Sequence, residues 1–249
     1  MTLLHKETFV CVDCETTGLD TDNDLIIEVG AIRFTFEGPL ETYTSLVNPG
    51  IPIPPESQAI HNISDEMVAD APPIGEVLSP LLDFLKKDII IGHNIGFDLT
   101  MIDNAAKRLG KETALLSRKQ MDTLRLARLY GESPTNSLEG LRRHFNIPPE
   151  AAHRALDDAK INALVFKRLT ERFRTTADVF KALDKPIRMR HMPLGKHKGR
   201  LFSEIPVNYL RWASHQNFDR DLLFSIKHEL KRRAKGNHFG AATNPFNNL

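Results

Sequence analysis

The sequence predicts an α/β protein: a mixed β-sheet flanked by helices, followed by a small C-terminal module of a β-hairpin and helices. Three observations predict it. Segments rich in β-branched and aromatic residues come first; helical periodicities then alternate with a short apolar run; and the charge changes sign near residue 174. The chain has 249 residues, 41% hydrophobic and 26% charged. That is ordinary for a globular protein with room for one large domain or two modest ones.

The elements follow in order. Residues 8–15 (TFVCVDCE), 25–36 (LIIEVGAIRFTF) and 42–47 read as strands separated by turn-rich segments, hence an antiparallel meander. The Pro-rich stretch 48–55 is a surface loop. Residues 74–86 form a helix with Ile74, Val77, Leu78, Leu81, Leu82 and Leu85 on one face. The run 88–92 (DIIIG) is a strand buried on both faces. Helices follow at 98–109, 121–130 and 137–145, and the longest at 155–173. The first domain is therefore placed at 1–174, with 175–187 as a linker containing a helical turn. The small basic module occupies 188–235: a hairpin over 189–202 turning at 195–199, then helices at 206–214 and 219–233, with Tyr209 and Trp212 read as part of its small core, the alternative being that they stack on bases. The Asn- and Gly-rich residues 236–249 read as a disordered tail.

A formal net charge of +1 hides an asymmetry. Residues 1–174 hold 19 Lys+Arg against 26 Asp+Glu, and residues 175–249 hold 14 against 6. The basic part is the electrostatic footprint of a polyanion partner such as nucleic acid, although a solvated basic surface has the same composition. No apolar run approaches the roughly 18 residues of a membrane span. The N-terminal apolar stretch is broken by His5, Lys6 and Glu7, unlike a signal peptide. The two cysteines, Cys11 and Cys14, fall on opposite faces of a strand, which argues against a zinc or redox site. These features predict a cytoplasmic setting and no membrane partner.

The acids carry the chemical signal. Asp13 and Glu15 lie two apart on the first strand, on one face and about 7 Å apart. Asp98 shares its helix face with Met101, Ile102, Ala105 and Leu109, so it points inward, whereas Asp103 falls on the opposite, solvated face. Asp158 shares a face with Ile161, Val165 and Leu169; Asp157 goes with Lys160 and Arg168. His153 precedes that helix. Four inward carboxylates would repel and raise one another's pKa values. All-oxygen ligands select hard cations, Mg²⁺ or Mn²⁺. Two such ions about 4 Å apart can clamp the attacking and leaving oxygens of a phosphoryl displacement, with a neutral His taking the proton from water.

These residues stand in motifs that resemble the DEDDh family of 3′→5′ exonucleases: Asp13-Cys-Glu15-Thr-Thr-Gly-Leu, His93-Asn-Ile-Gly-Phe-Asp98 and His153-Arg-Ala-Leu-Asp-Asp158, in order across residues 7–173. Within the family the sequence is most similar to the epsilon, proofreading subunit of bacterial DNA polymerase III. Residues 193–200 (PLGKHKGR) onward resemble the C-terminal module of exodeoxyribonuclease X-like proteins. The resemblance implies an RNase H-like fold, and two metal ions held by Asp13, Glu15, Asp98 and Asp158 with His153 as general base. It places Thr16 and Gly18 beside the terminal nucleotide, Leu19 and Phe97 against its base or sugar, and His61 near the same pocket; Thr17, His93 and Asn94 complete the substrate-binding set. Asn62 and Ser64 stand where relatives usually have Gly and Thr. The expected activity is metal-dependent removal of 5′-mononucleotides from a 3′ end, of DNA rather than RNA, in proofreading or repair, with a DNA polymerase as partner. An exoribonuclease and a non-catalytic polymerase-accessory protein are the alternatives.

Overall fold

The computed structural model describes residues 2–85, 87–149 and 154–241. The chain folds as two compact units, Met1–Ala182 and Leu183–Leu249.

The first unit opens with the expected meander: β1 (Phe9–Thr16), β2 (Ile26–Phe34) and β3 (Pro39–Leu46), antiparallel throughout. Two short helices, α1 (Pro55–His61) and α2 (Asp65–Val68), follow the Pro-rich loop. Then come α3 (Ile74–Leu85), β4 (Ile89–Gly92), α4 (Gly96–Arg108), β5 (Gln120–Asp122), α5 (Thr123–Tyr130), α6 (Leu138–His144), α7 (Ala155–Thr170) and α8 (Thr176–Asp184). The sheet order is β3-β2-β1-β4-β5, with β4 parallel to β1 and β5 parallel to β4. One face of β1, through Val10, Val12 and Cys14, packs with Val77, Leu78 and Leu81 of α3 and Leu99 and Ile102 of α4. The other face meets α7, where Phe9 stacks against Phe166 with ring centroids 5.0 Å apart.

Several details depart from the sequence expectation. β5 is a three-residue strand, too short to show a period, where a helix start was expected. Its Asp122 also caps α5 by accepting from Leu124 N at 2.8 Å. Asp103 is buried, not on a solvated face: Lys107 Nζ lies 2.8 Å from it and the Thr113 hydroxyl donates to it. The expected linker is mostly the helix α8, whose Val179 and Leu183, one turn apart, are both buried. The boundary between units falls accordingly at residue 182, not 174.

The second unit contains α9 (Val207–Ala213) and α10 (Arg220–Ala241) around a core of Met192, Phe202, Ile205, Leu210, Ala213, Leu222 and Ile226. The chain reversal read as a hairpin is present, but its ladder is one bridge, His191 to Leu201. Gly195 and Gly199 take left-handed φ of 71° and 82° and curl the intervening loop into a 3₁₀ turn. Trp212, expected in the core, is 53% exposed. α10 runs into the stretch read as a tail, as far as Ala241; each residue added to an existing helix gains a backbone bond without a new nucleus. Residues 242–249 of that predicted tail lie outside the described residues. Among the described residues no helix is long and apolar enough to cross a membrane.

Candidate active site

The site forms where β1 runs past the end of β4. Alternate residues of β1 share a face, so Asp13 and Glu15 project with Phe9 toward α7. Antiparallel register sets Asp13 opposite Gly30 and Glu15 opposite Glu28 on β2. Gly30 has to be glycine: a Cβ there would overlap the backbone of Ala155 and Leu156, so the start of α7 lies directly on β2. Glu28, only 2% exposed, fixes that approach. Its carboxylate accepts from Arg154 Nη2 at 2.7 Å, from Arg154 Nε at 3.0 Å and from Ala155 N at 2.9 Å. With the first turn of α7 pinned in this way, Asp158 meets the two acids of β1. Carboxylate oxygens of Asp13, Glu15 and Asp158 lie within 4.8 Å of one another. Asp157, its neighbour, pairs with Lys160 at 2.8 Å.

Asp98 is not part of that trio. It is buried in the first turn of α4, and its Oδ1 accepts from Cys14 N at 3.0 Å, bridging the helix to β1. It remains near enough for its charge to act on Asp13. His153 lies outside the described residues; the residue after it is Arg154, the partner of Glu28.

Burial and repulsion between carboxylates push Asp13, Glu15 and Asp98 toward their neutral forms. Asp13 is raised well above the usual carboxylate range, first by burial, then by Asp98, Asp158, Glu15 and Glu28. Glu15 is raised to about 7 by burial, then Asp158 and Glu28, with Arg154 opposing. Asp98 is raised to about 8 by burial, against backbone N–H groups that favour its charge. Such a group of oxygens fits a hard divalent cation, which accepts all-carboxylate coordination.

The remaining predicted residues surround this end of the sheet. In the loop after β1, the Thr16 hydroxyl donates to Gly18 O at 2.6 Å. The buried Thr17 hydroxyl donates to Asp24 Oδ1 at 2.8 Å and accepts from Leu25 N at 2.9 Å, so Thr17 holds the loop together. A side chain at Gly18 would run into the Asp24 carboxylate. Leu19 is 86% exposed. Ser57 of α1 donates to Thr17 O at 2.6 Å, and His61, buried on the same helix, accepts from Ile63 N through Nδ1 at 3.0 Å. His93 pairs through Nδ1 with Thr123 Oγ1 at 3.1 Å, and Thr123 donates to Asn162 Oδ1 at 2.6 Å. Burial lowers the His93 pKa to about 4, so it is neutral and belongs to a network joining β4, α5 and α7. Asn94 sits at a left-handed φ of 65° and donates its N–H to Asp122 Oδ1 at 2.9 Å. Phe97 is half-buried against the core under α3 and α4.

Sequence reasoning misses Glu28, Gly30 and Arg154. The signal for the first two is a lone acid and a glycine within the apolar run 26–32 (IIEVGAI).

Comparison with known proteins places this geometry. The family model described as exonuclease matches residues 10–166, from β1 through most of α7. A second model, named for quorum-sensing-regulated virulence factors, matches residues 181–229. DNA polymerase III subunit epsilon of Treponema pallidum is 35% identical over 156 residues, covering 61% of this chain and 72% of that protein. A PolC-type DNA polymerase III of Caldanaerobacter subterraneus is 38% identical over 165 residues, 66% of this chain but only 12% of the polymerase. Among solved structures, exonuclease X in complex with 5′-overhanging duplex DNA aligns with a TM-score of 0.56 at 26% identity, covering 69% of this chain and 96% of that one. Exonuclease I of E. coli aligns with a TM-score of 0.63 at 20% identity over 72% of this chain and 43% of its own, a likeness of fold.

Proposed function

Because the chain belongs to the exonuclease family, we propose that it hydrolyses phosphodiester bonds at the 3′ end of DNA and releases 5′-mononucleotides, in proofreading or repair. The observation that carries this reading is the trio Asp13, Glu15 and Asp158, with Asp98 beside Asp13. All four acids and His153 fall within the matched residues 10–166. The trio and Asp98 would hold two divalent ions, Mg²⁺ or Mn²⁺. When bound, such ions stabilise charge on the attacking and leaving oxygens.

The chain's own residues supply the rest. His153, neutral, takes the proton of the attacking water on a ring nitrogen; an ordinary imidazole is neutral above about pH 6.5. Glu28 and Arg154 anchor the start of α7, which carries Asp158. Leu19 offers an exposed apolar surface to the terminal nucleotide, on a loop stiffened by Thr16, Thr17 and Asp24. The named relatives support DNA as the substrate and a DNA polymerase as a partner.

The test uses purified protein with 5′-labelled single- and double-stranded DNA and RNA, in Mg²⁺ or EDTA. The expected outcome is a ladder shortening from the 3′ end of DNA, mononucleotide product, and no reaction in EDTA. Shortening from the 5′ end, or equal activity in EDTA, overturns the reading; preference for RNA ends makes the protein an exoribonuclease.

A further inference from the structure

The second unit holds a group of rings and cations that the chemistry at Asp13, Glu15 and Asp158 does not use. Tyr209 and Trp212 lie one turn apart on α9, with ring centroids 5.2 Å apart. His197 meets Tyr209 edge-on at 4.5 Å. Trp212 is largely exposed although its neighbours Leu210 and Ala213 are fully buried, so packing does not explain the ring. His197 is 7% exposed, and its Nδ1 has no hydrogen-bond partner among the described residues.

The loop beside the rings is preformed. Gly199 N donates to Met192 O at 2.8 Å, and Met192 N to Arg200 O at 2.9 Å. A Cβ on Gly195 would come 3.0 Å from the Tyr209 hydroxyl, so loop and rings are in contact. The loop carries Lys196, Lys198 and Arg200, and α9 adds Arg211, all exposed. None of these four side chains makes an ion pair or hydrogen bond among the described residues. Three acids of this unit are committed elsewhere: Glu229 to Arg232 and Arg233, Asp221 to Ile187 N, Glu204 to Leu201 N.

We propose that this face of the second unit binds single-stranded nucleic acid, an unpaired base stacking on Trp212 and backbone phosphates lying against Lys196, Lys198 and Arg200. An exposed aromatic ring beside unpaired cations matches bases and phosphates together. A protein partner would need the apolar surface but not the row of free cations. The proposal rests on the reading of the protein as a DNA exonuclease and adds the unpaired strand as the form it grips.

Trp212 is the chain's single tryptophan, so its fluorescence reports on the site directly. The test titrates the full chain, in EDTA, with an oligothymidylate of about 12 nucleotides, an abasic strand of equal phosphate number and a blunt duplex, following fluorescence and anisotropy. The thymidylate should quench Trp212; the abasic strand and the duplex should not. Trp212→Ala should weaken thymidylate binding roughly 5- to 150-fold, and Trp212→Phe far less. Changing Lys196, Lys198 and Arg200 to Gln should flatten the log K versus log salt slope by about 0.7 for each lost phosphate contact. Thymidylate binding without quenching overturns the proposal and leaves the rings to a protein partner. Equal quenching by the abasic strand overturns it as well. Asp13→Ala should leave the quench intact. Quenching without hydrolysis by the native protein therefore refutes the exonuclease reading alone, and hydrolysis without quenching refutes this proposal alone.

Discussion

Two glutamates, the buried Glu229 of the second unit and the part-buried Glu15 of the first, have opposite fates. Glu229 on α10 is 6% exposed, yet Arg232 and then Arg233, one turn away on the same helix, hold its pKa down to about 2. Glu15 on β1 is raised to about 7, because burial is compounded by Asp158 and Glu28. Residue type is the same; the difference is whether the fold pairs the acid with a cation, as for Glu229, or leaves Arg154 to oppose the rise only from a distance, as for Glu15. The first unit is able to bring one, since Glu28, directly opposite Glu15, receives a bidentate Arg154. Glu15, Asp13 and Asp158 are instead gathered against one another. An acid paired from within its own helix serves the fold, whereas acids collected against one another from β1 and α7 serve a ligand that brings positive charge with it.

Removing the collected acids should show the largest effect. Asp13→Ala, Glu15→Ala, Asp98→Ala and Asp158→Ala should each lower mononucleotide release on the order of 10²–10⁴-fold, the equivalent of several kcal/mol of lost charge stabilisation. Glu229→Gln should leave turnover of a dinucleotide substrate unchanged and lower the melting temperature instead. Asp157→Ala should also retain activity, since Asp157 pairs with Lys160. Loss of activity with Asp157→Ala and retention with Asp158→Ala would reverse the assignment of the two neighbours.

A smaller loss should follow from disturbing what gathers the acids. Gly30→Ala forces a methyl group into the backbone of Ala155 and Leu156 and lifts α7 from β2. Glu28→Gln weakens the hold on Arg154 and Ala155 N. Groups that orient metal ligands typically matter about 10–100-fold. Both variants should therefore raise the Mg²⁺ concentration needed for half-maximal activity by about that factor. If Glu28→Gln lowered only stability, with the Mg²⁺ requirement unmoved, the pair would resemble Glu229 and its arginines rather than a support for the site.

Much of this was legible in the sequence, for a physical reason: strands alternate and helices repeat every 3.6 residues, so Asp13 and Glu15 share a face, and so do Asp158, Ile161 and Val165. What period does not encode is what a side chain meets across space. Asp103 lies off the apolar face of α4 but is buried because Thr113, beyond the helix end, folds back onto it. Trp212 reads as core by its neighbours in the chain, yet the core closes over Leu210 and Ala213 without it. Glu28 and Arg154 are 126 residues apart, and only the close approach at Gly30 makes them partners.

The smallest effect is the pH dependence of the metal-free protein, and its sign separates the two kinds of acid. In the folded first unit Asp13 is raised, Glu15 titrates near 7 and Asp98 near 8; ordinary values for an unfolded chain are 4.5 for Glu and 3.8 for Asp. Above those ordinary values the folded state therefore binds more protons than the unfolded one, and stability falls as pH rises. The contribution is fully present below about pH 4 and lost through about pH 7–8. His93, held neutral with its pKa lowered to about 4, acts in the opposite direction, but only up to the ordinary imidazole value near 6.5. Glu229, held near 2, contributes stability that is lost only as pH falls below the usual carboxylate range. The window from about pH 6.5 to 8 thus isolates the collected acids. In EDTA the melting temperature of the first unit should decline across it, by roughly 2–4 °C for each kcal/mol lost. Saturating Mg²⁺ should flatten or reverse the decline, because the ion binds the ionised carboxylates and gains as protons leave. A melting temperature that rises across this window in EDTA would mean that Asp13, Glu15 and Asp158 are already neutralised within the protein, and the contrast with Glu229 would disappear.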